Sequence, residues 1–137
     1  LPTPRYVTQE EAENLHKQLI NLYGGSLGLR DVSGLESALL QPQQTFSGVL
    51  LHPAIADQAA AYLYHIAKNH PFIDGNKRTA LAVAYSSLKA NGFNVLVSKD
   101  DLYNLVIQIV NNEIDKTAVT EYVKAHVEHV ATRKNTC

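Results

Sequence analysis

The run His70-Pro71-Phe72-Ile73-Asp74-Gly75-Asn76-Lys77-Arg78-Thr79 lies between two apolar stretches of helical spacing and forbids one continuous helix through them. Pro71 disfavours helical geometry at His70, and Gly75 permits a turn that residues with a side chain resist. Upstream, Ala56, Ala59, Ala60, Leu63 and Ala67 predict a helix from Ala54 to about Asn69, with Pro53 suited to its start. Their small side chains allow close packing, so this helix is expected to run through the middle of the core. Downstream, a second helix is expected from about Asn76, with Leu81, Ala84, Tyr85 and Leu88 on one side and an end at Asn91-Gly92. The fold must therefore place a short irregular segment, rich in polar side chains, at the junction of two packed helices.

The rest of the chain reads as further helices. Thr8 with Glu11 is a capping box, with Val7 at the staple position, and Leu15, Leu19, Leu22 and Tyr23 recur at helical spacing before Gly24-Gly25. Ser33-Gly34-Leu35-Glu36 repeats the cap pattern and predicts a short helix through Leu39, closed near Pro42. Leu27-Gly28-Leu29-Arg30-Asp31 is a loop, in which Arg30 and Asp31 are read as structural pins. Residues 43–53 lack a helical period and suggest an extended or hairpin-like excursion. Phe93 to Val97 reads as a short extended piece, and Ser98 with Asp101 caps a helix carrying Leu102, Leu105, Val106, Ile109 and Val110. A last helix is expected from about Thr117 to His129, which would put His126 and His129 on one face. The sum is an all-α bundle with a short β-like flap.

A length of 137 residues fits one domain, 1–137, with a core over about residues 6–130. The 45% hydrophobic content excludes an extended disordered chain. Twelve Lys plus Arg against thirteen Asp plus Glu supply no overall basic face, so direct nucleic-acid binding is not expected. The adjacent basic pairs Lys77-Arg78 and Arg133-Lys134 are the local exceptions. Cys137 is the sole cysteine, which excludes an intramolecular disulfide and suits a reducing compartment. No apolar run approaches the roughly 20 residues that span a bilayer, and Leu1-Pro2-Thr3-Pro4 is too short and polar for a secretory signal. A cytoplasmic protein with no membrane partner is expected, and Leu1 in place of Met suggests a natural start further upstream.

The loop carries the chemistry. Backbone N–H groups from Gly75 to Arg78 fall at a helix start, where amides without partners and aligned dipoles favour an anion. Arg78 offers phosphate a planar fork of donors and Lys77 a mobile positive charge. Asp74 suits magnesium, which takes hard oxygens and few protein ligands. His70 has the side chain fit to accept a proton from a hydroxyl. These are the parts of phosphoryl or nucleotidyl transfer. Neither a P-loop nor a dinucleotide-binding glycine pattern occurs. His16, His52 and His65 have no evident partner in the sequence, and the tyrosines form no aromatic platform.

The string His70–Thr79 resembles the signature of the Fic/Doc superfamily, in its death-on-curing (Doc) branch. Residues 24–31, 35–39, 42–48 and 59–69 resemble the same branch, so the likeness covers roughly residues 6–130. It implies a small helical domain that transfers part of a nucleoside triphosphate to a protein hydroxyl. The common Fic form has a second Gly after the Asn and transfers AMP, whereas Lys77 stands there in this chain, as in Doc toxins. Those imply ATP with Mg2+ as the donor and the terminal phosphate passing to a threonine of translation elongation factor Tu, which arrests growth. By the resemblance, His70 is the general base, Asp74 holds magnesium or positions the hydroxyl, Asn76 bonds phosphate, and Lys77 and Arg78 clamp it. Gly75, Thr79 and the preceding Lys68 join the implied phosphate site. Thr45, Phe46, Ser47, Gly48, Val49, Leu50 and Leu51 match a flap that aligns the target. Phe72 is expected to pack inward. No inhibitory Ser/Thr-x-x-x-Glu-Gly/Asn string occurs, so restraint is expected from a Phd-like antitoxin partner. Gly75 is shared with AMP-transferring relatives, so AMP transfer stays open, as does a noncatalytic binding module.

Overall fold

A computed structural model of the chain describes residues 3–130; Leu1, Arg133, Lys134 and Cys137 lie outside the described residues. Helix α1 spans Gln9–Tyr23. Thr8 Oγ1 accepts from Glu11 N at 3.1 Å while the Glu11 carboxylate accepts from Thr8 N at 3.0 Å, and these bonds lower the Glu11 pKa. The capping box is therefore as read. The buried face is not, because it consists of Ala12, His16 and Ile20, spaced by four, whereas Leu22 and Tyr23 are exposed. The stripe through Leu15, Leu19 and Leu22 overlooked a histidine, which counts as polar in any apolar periodicity.

Helix α2, Val32–Leu40, is capped by Asp31 and not by Ser33. Asp31 Oδ1 accepts from Gly34 N at 2.9 Å, and Ser33 donates its own hydroxyl to the same carboxylate. An ionised carboxylate is the stronger acceptor for an orphan helix amide, and these bonds hold the Asp31 pKa down. A 3-10 turn, Gln41–Gln43, follows with Pro42 buried. The excursion beyond it is a hairpin, as the absence of helical period suggested. Strand β1, Thr45–Phe46, pairs with β2, Val49–Leu50, through Ser47 and Gly48, both at positive φ. Two positive-φ residues match the right-handed twist of a tight hairpin.

Helix α3, Ile55–Asn69, is the central element, packing against α2, the 3-10 turn and the three helices that follow. Ala59, Ala60 and Ala61 are fully buried, which is the close packing the small residues predict. Tyr62 is buried beside them and accepts a hydrogen bond from Val7 N at 2.8 Å, and its burial raises its pKa to about 12. Helix α4, Asn76–Ala90, lies along α3. It is followed by β3, Phe93–Val95, and by α5, Lys99–Val110, capped by Ser98. Helix α6 runs Lys116–Ala125 with Asp115 as its cap.

The expected helix to His129 stops early. Val127–His129 is a strand, β4, paired antiparallel with β3, and His126 accepts from Leu96 N at 2.7 Å. An unpaired β3 edge would leave its donors and acceptors without partners beside the core, and β4 satisfies them. Half-buried Val127 packs on the core as well. His126 and His129 thus do not share a helical face. The described residues are mostly helical, with two small antiparallel strand pairs. Among the described residues no helix is long and apolar enough to cross a membrane.

Candidate active site

The site is built where α3 ends and α4 begins. His70 adopts left-handed geometry, φ 50° and ψ 52°, while its N–H still bonds the Ile66 carbonyl. Such a conformation is unfavourable for a residue with a side chain and persists only where neighbours fix it. Arg30 does so, donating Nε to the His70 carbonyl at 3.1 Å and Nη2 to the carbonyls of His70 and Asn69. A guanidinium there satisfies orphan carbonyls and complements the negative end of α3. The Pro71 carbonyl accepts from both Arg30 N and Asp31 N, and Ile73 N donates to the Gly28 carbonyl. Arg30 and Asp31 are the structural pins the sequence suggested.

The loop is closed from below by three contacts. Phe72 is buried, as expected, and stacks on His16 with ring centroids 3.9 Å apart. His16 Nε2 meets the Asp74 carbonyl at 2.8 Å, and since a carbonyl only accepts, Nε2 carries the proton. The Asn76 amide spans the loop, accepting from Phe72 N at 2.8 Å and donating to the Phe72 carbonyl at 2.9 Å. Two glycines hold positive-φ positions against packed side chains. A Cβ on Gly75 would lie 3.1 Å from Ile20 Cδ1 at a φ of 75°, and one on Gly25 would lie 2.6 Å from Asp74 Oδ2. Gly25 thereby lets Ser26 N donate to Asp74 Oδ2 at 3.2 Å.

Above this floor is an open cleft of about 140 Å³, walled by His70, residues 73–78 and Tyr103. Gly75 caps α4 with no side chain, and the first-turn N–H groups of Asn76, Lys77 and Arg78 have no protein partner among the described residues. Free donors at a helix start are a terminus that favours an anion. Exposed His70 turns Nδ1 towards the Ala67 carbonyl at 3.4 Å, which favours the proton on Nδ1 and leaves Nε2 as the basic nitrogen. Asp74 is the carboxylate of the cleft, accepting Ser26 N on Oδ2 and Gly75 N on Oδ1. No cluster of three or more acidic, His or Cys ligands exists among the described residues. A single fixed carboxylate fits magnesium held largely by phosphate and water.

His70, Asp74, Gly75, Lys77 and Arg78 therefore meet in one cleft. Other expected site residues do not join them. The Asn76 side chain is buried and spent on Phe72, so only its backbone N–H is left for an anion. Thr79 is fully buried on the core side of α4, with its hydroxyl unpartnered. Lys68 bonds Asn112 and lies over the Tyr64 ring, beside the turn before α6. It sits on a regular helical turn, whereas the left-handed twist at His70 redirects the chain. The hairpin contributes no residue to the cleft, and its base at His52, whose carbonyl accepts from Gln58, adjoins the opposite end of α3.

Sequence reasoning missed His16, Tyr23 and Tyr103. His16 had a signal, its spacing of four from Ala12 and Ile20. The tyrosines had none, since they come from α1 and α5 and meet only around Arg78. His52 and His65 lie away from the cleft. Burial and the nearby Lys116 lower both pKa values, that of His65 to about 4, and burial lowers that of Lys116.

Residues 6–88 match the Fic/DOC family. A protein named Toxin Doc from Mycolicibacterium smegmatis is 44% identical over 78 residues, covering 57% of this chain and 60% of the relative. Protein kinase doc of Escherichia phage P1 is 30% identical over 122 residues, covering 88% of this chain and 94% of the relative.

Proposed function

The chain belongs to the Fic/DOC family, and from that premise we propose that it is a toxin that transfers the terminal phosphoryl group of ATP to a protein hydroxyl. The target proposed is a threonine of a translation factor such as elongation factor Tu, modified in the cytoplasm, with growth arrest as the outcome. The names of its relatives, a Doc toxin and a Doc protein kinase, support this reading. The observation that carries it is the meeting of a basic imidazole nitrogen, one carboxylate and an uncapped helix N-terminus with two cationic side chains in one cleft.

The chemistry follows from those groups. His70 Nε2 accepts the proton of the incoming hydroxyl, whose oxygen forms a bond to the γ-phosphorus. The bond from that phosphorus to the β–γ bridging oxygen breaks, and ADP leaves with the electron pair. The α4 amides, Lys77 and Arg78 offset the charge on the phosphoryl oxygens as this occurs. Asp74 would hold Mg2+, which supplies charge neutralisation between the phosphates. Lys77 distinguishes this route from AMP transfer, because its half-buried chain, without a protein partner, fills space that a glycine would leave for the outer phosphates. A Phd-like antitoxin is the proposed restraint.

The experiment is transfer from ATP labelled at either the α or the γ phosphate, using purified elongation factor Tu as acceptor. Label from γ on the acceptor is expected. Label from α would replace the reading by AMP transfer, and label from neither, on this acceptor or on whole-lysate protein, would leave a noncatalytic binding module.

A further inference from the structure

Arg78 has no carboxylate partner among the described residues, where the one ion pair is Lys124 with Asp57. Two rings hold it instead. Its Cζ lies 4.1 Å from the centroid of the Tyr23 ring and 5.5 Å from that of Tyr103. Tyr23 closes α1, Tyr103 lies early in α5, and Arg78 is in the first turn of α4, so three separate helices build the arrangement. We propose that Tyr23 and Tyr103 are positioning residues, an aromatic clamp that presets the Arg78 guanidinium for the phosphates of ATP. The inference rests on the phosphate-binding reading above.

An arginine chain is flexible, and ordering it when the anion arrives weakens binding. A carboxylate could order it beforehand, but would occupy N–H donors and cancel the charge needed for phosphate. A ring acts differently, because it engages the face of the guanidinium plane and leaves the donors on its edges free. Arg78 makes no hydrogen bond to protein among the described residues, so its donor edges are available. Tyr23 is 61% exposed and adds little to the core, so the Arg78 guanidinium is the partner its ring meets. Tyr103 is half-buried and walls the same cleft as Arg78, beside the start of α4. Lysine at position 78 would lack the flat face that this device uses.

The test is calorimetric titration of MgATP into the intact chain carrying Tyr23→Ala, Tyr23→Phe, Tyr103→Ala, Arg78→Ala, or Arg78→Ala with Tyr23→Ala. Tyr23→Ala should weaken binding about 3- to 10-fold with an unchanged melting temperature, and Tyr103→Ala less, in keeping with its longer distance. Tyr23→Phe should restore affinity, since the ring face is kept. In the Arg78→Ala background, Tyr23→Ala should add no loss. An equal loss there would show that the ring acts without Arg78 and would overturn the clamp. Normal affinity in Tyr23→Ala beside weakened affinity in Arg78→Ala overturns the clamp alone. Unchanged affinity in Arg78→Ala removes the phosphate reading and the clamp together.

Discussion

Asn76 separates a phosphate ligand from a loop brace, and the two roles predict opposite outcomes for its removal. Its amide satisfies both Phe72 N–H and Phe72 C=O, and all three groups are out of reach of solvent. Asn76→Ala deletes two hydrogen bonds worth about 1 kcal/mol each and strands the Phe72 N–H and carbonyl, where an unsatisfied buried group costs about 1–3 kcal/mol. Partial relaxation reduces the sum, so a destabilisation of about 2–4 kcal/mol is expected. For a chain of this length that lowers the melting temperature by about 10 °C. Asn76→Asp should be at least as harmful, because the carboxylate keeps the bond from Phe72 N but faces the Phe72 carbonyl with a second acceptor. Urea unfolding followed by circular dichroism measures both. A change below about 0.5 kcal/mol in Asn76→Ala, together with lost MgATP affinity, would refute the brace and restore Asn76 as a phosphate ligand.

Lys68 and Lys77 both lie near His70 in sequence, yet only Lys77 walls the cleft. Lys77→Ala should cut transfer from ATP about tenfold or more, while Lys68→Ala should stay within about twofold, read as initial rates of label transfer. Stability should also depend on pH through His65, whose pKa falls from 6.5 in the unfolded chain to about 4 in the fold, with His52 shifted the same way. The unfolded chain then binds more protons, so stability is lost as pH falls from about 6.5 towards 4 and the loss levels off below. His65→Gln should flatten that slope in urea midpoints taken across the window, and an unchanged slope would assign it to other groups.

The elements legible in the sequence were those with local causes. The Thr8 box, the Ser98 cap, the Pro71 break and the Gly75 turn each act within a few residues of the structure they produce. The cleft was legible for the same reason, since His70, Asp74, Lys77 and Arg78 share one short loop. What escaped depends on contacts distant in sequence. His16 reaches Asp74 across 58 positions, and Val127–His129 leaves the helix for a β3 edge that only the folded chain presents. Lys68 and Thr79 belong to the loop's neighbourhood by sequence, but helical rotation turns one towards Asn112 and the other into the core.

On the proposed mechanism, His70 removes the acceptor's proton beside a helix terminus that holds the phosphates. Single-turnover transfer from γ-labelled ATP, with the unaltered chain and His70→Ala compared at equal ATP occupancy, isolates that step. His70 is exposed, so the variant should melt at the same temperature and bind MgATP equally well. Its transfer should be slower by about 10²–10⁴. Transfer at an undiminished rate would contradict the account.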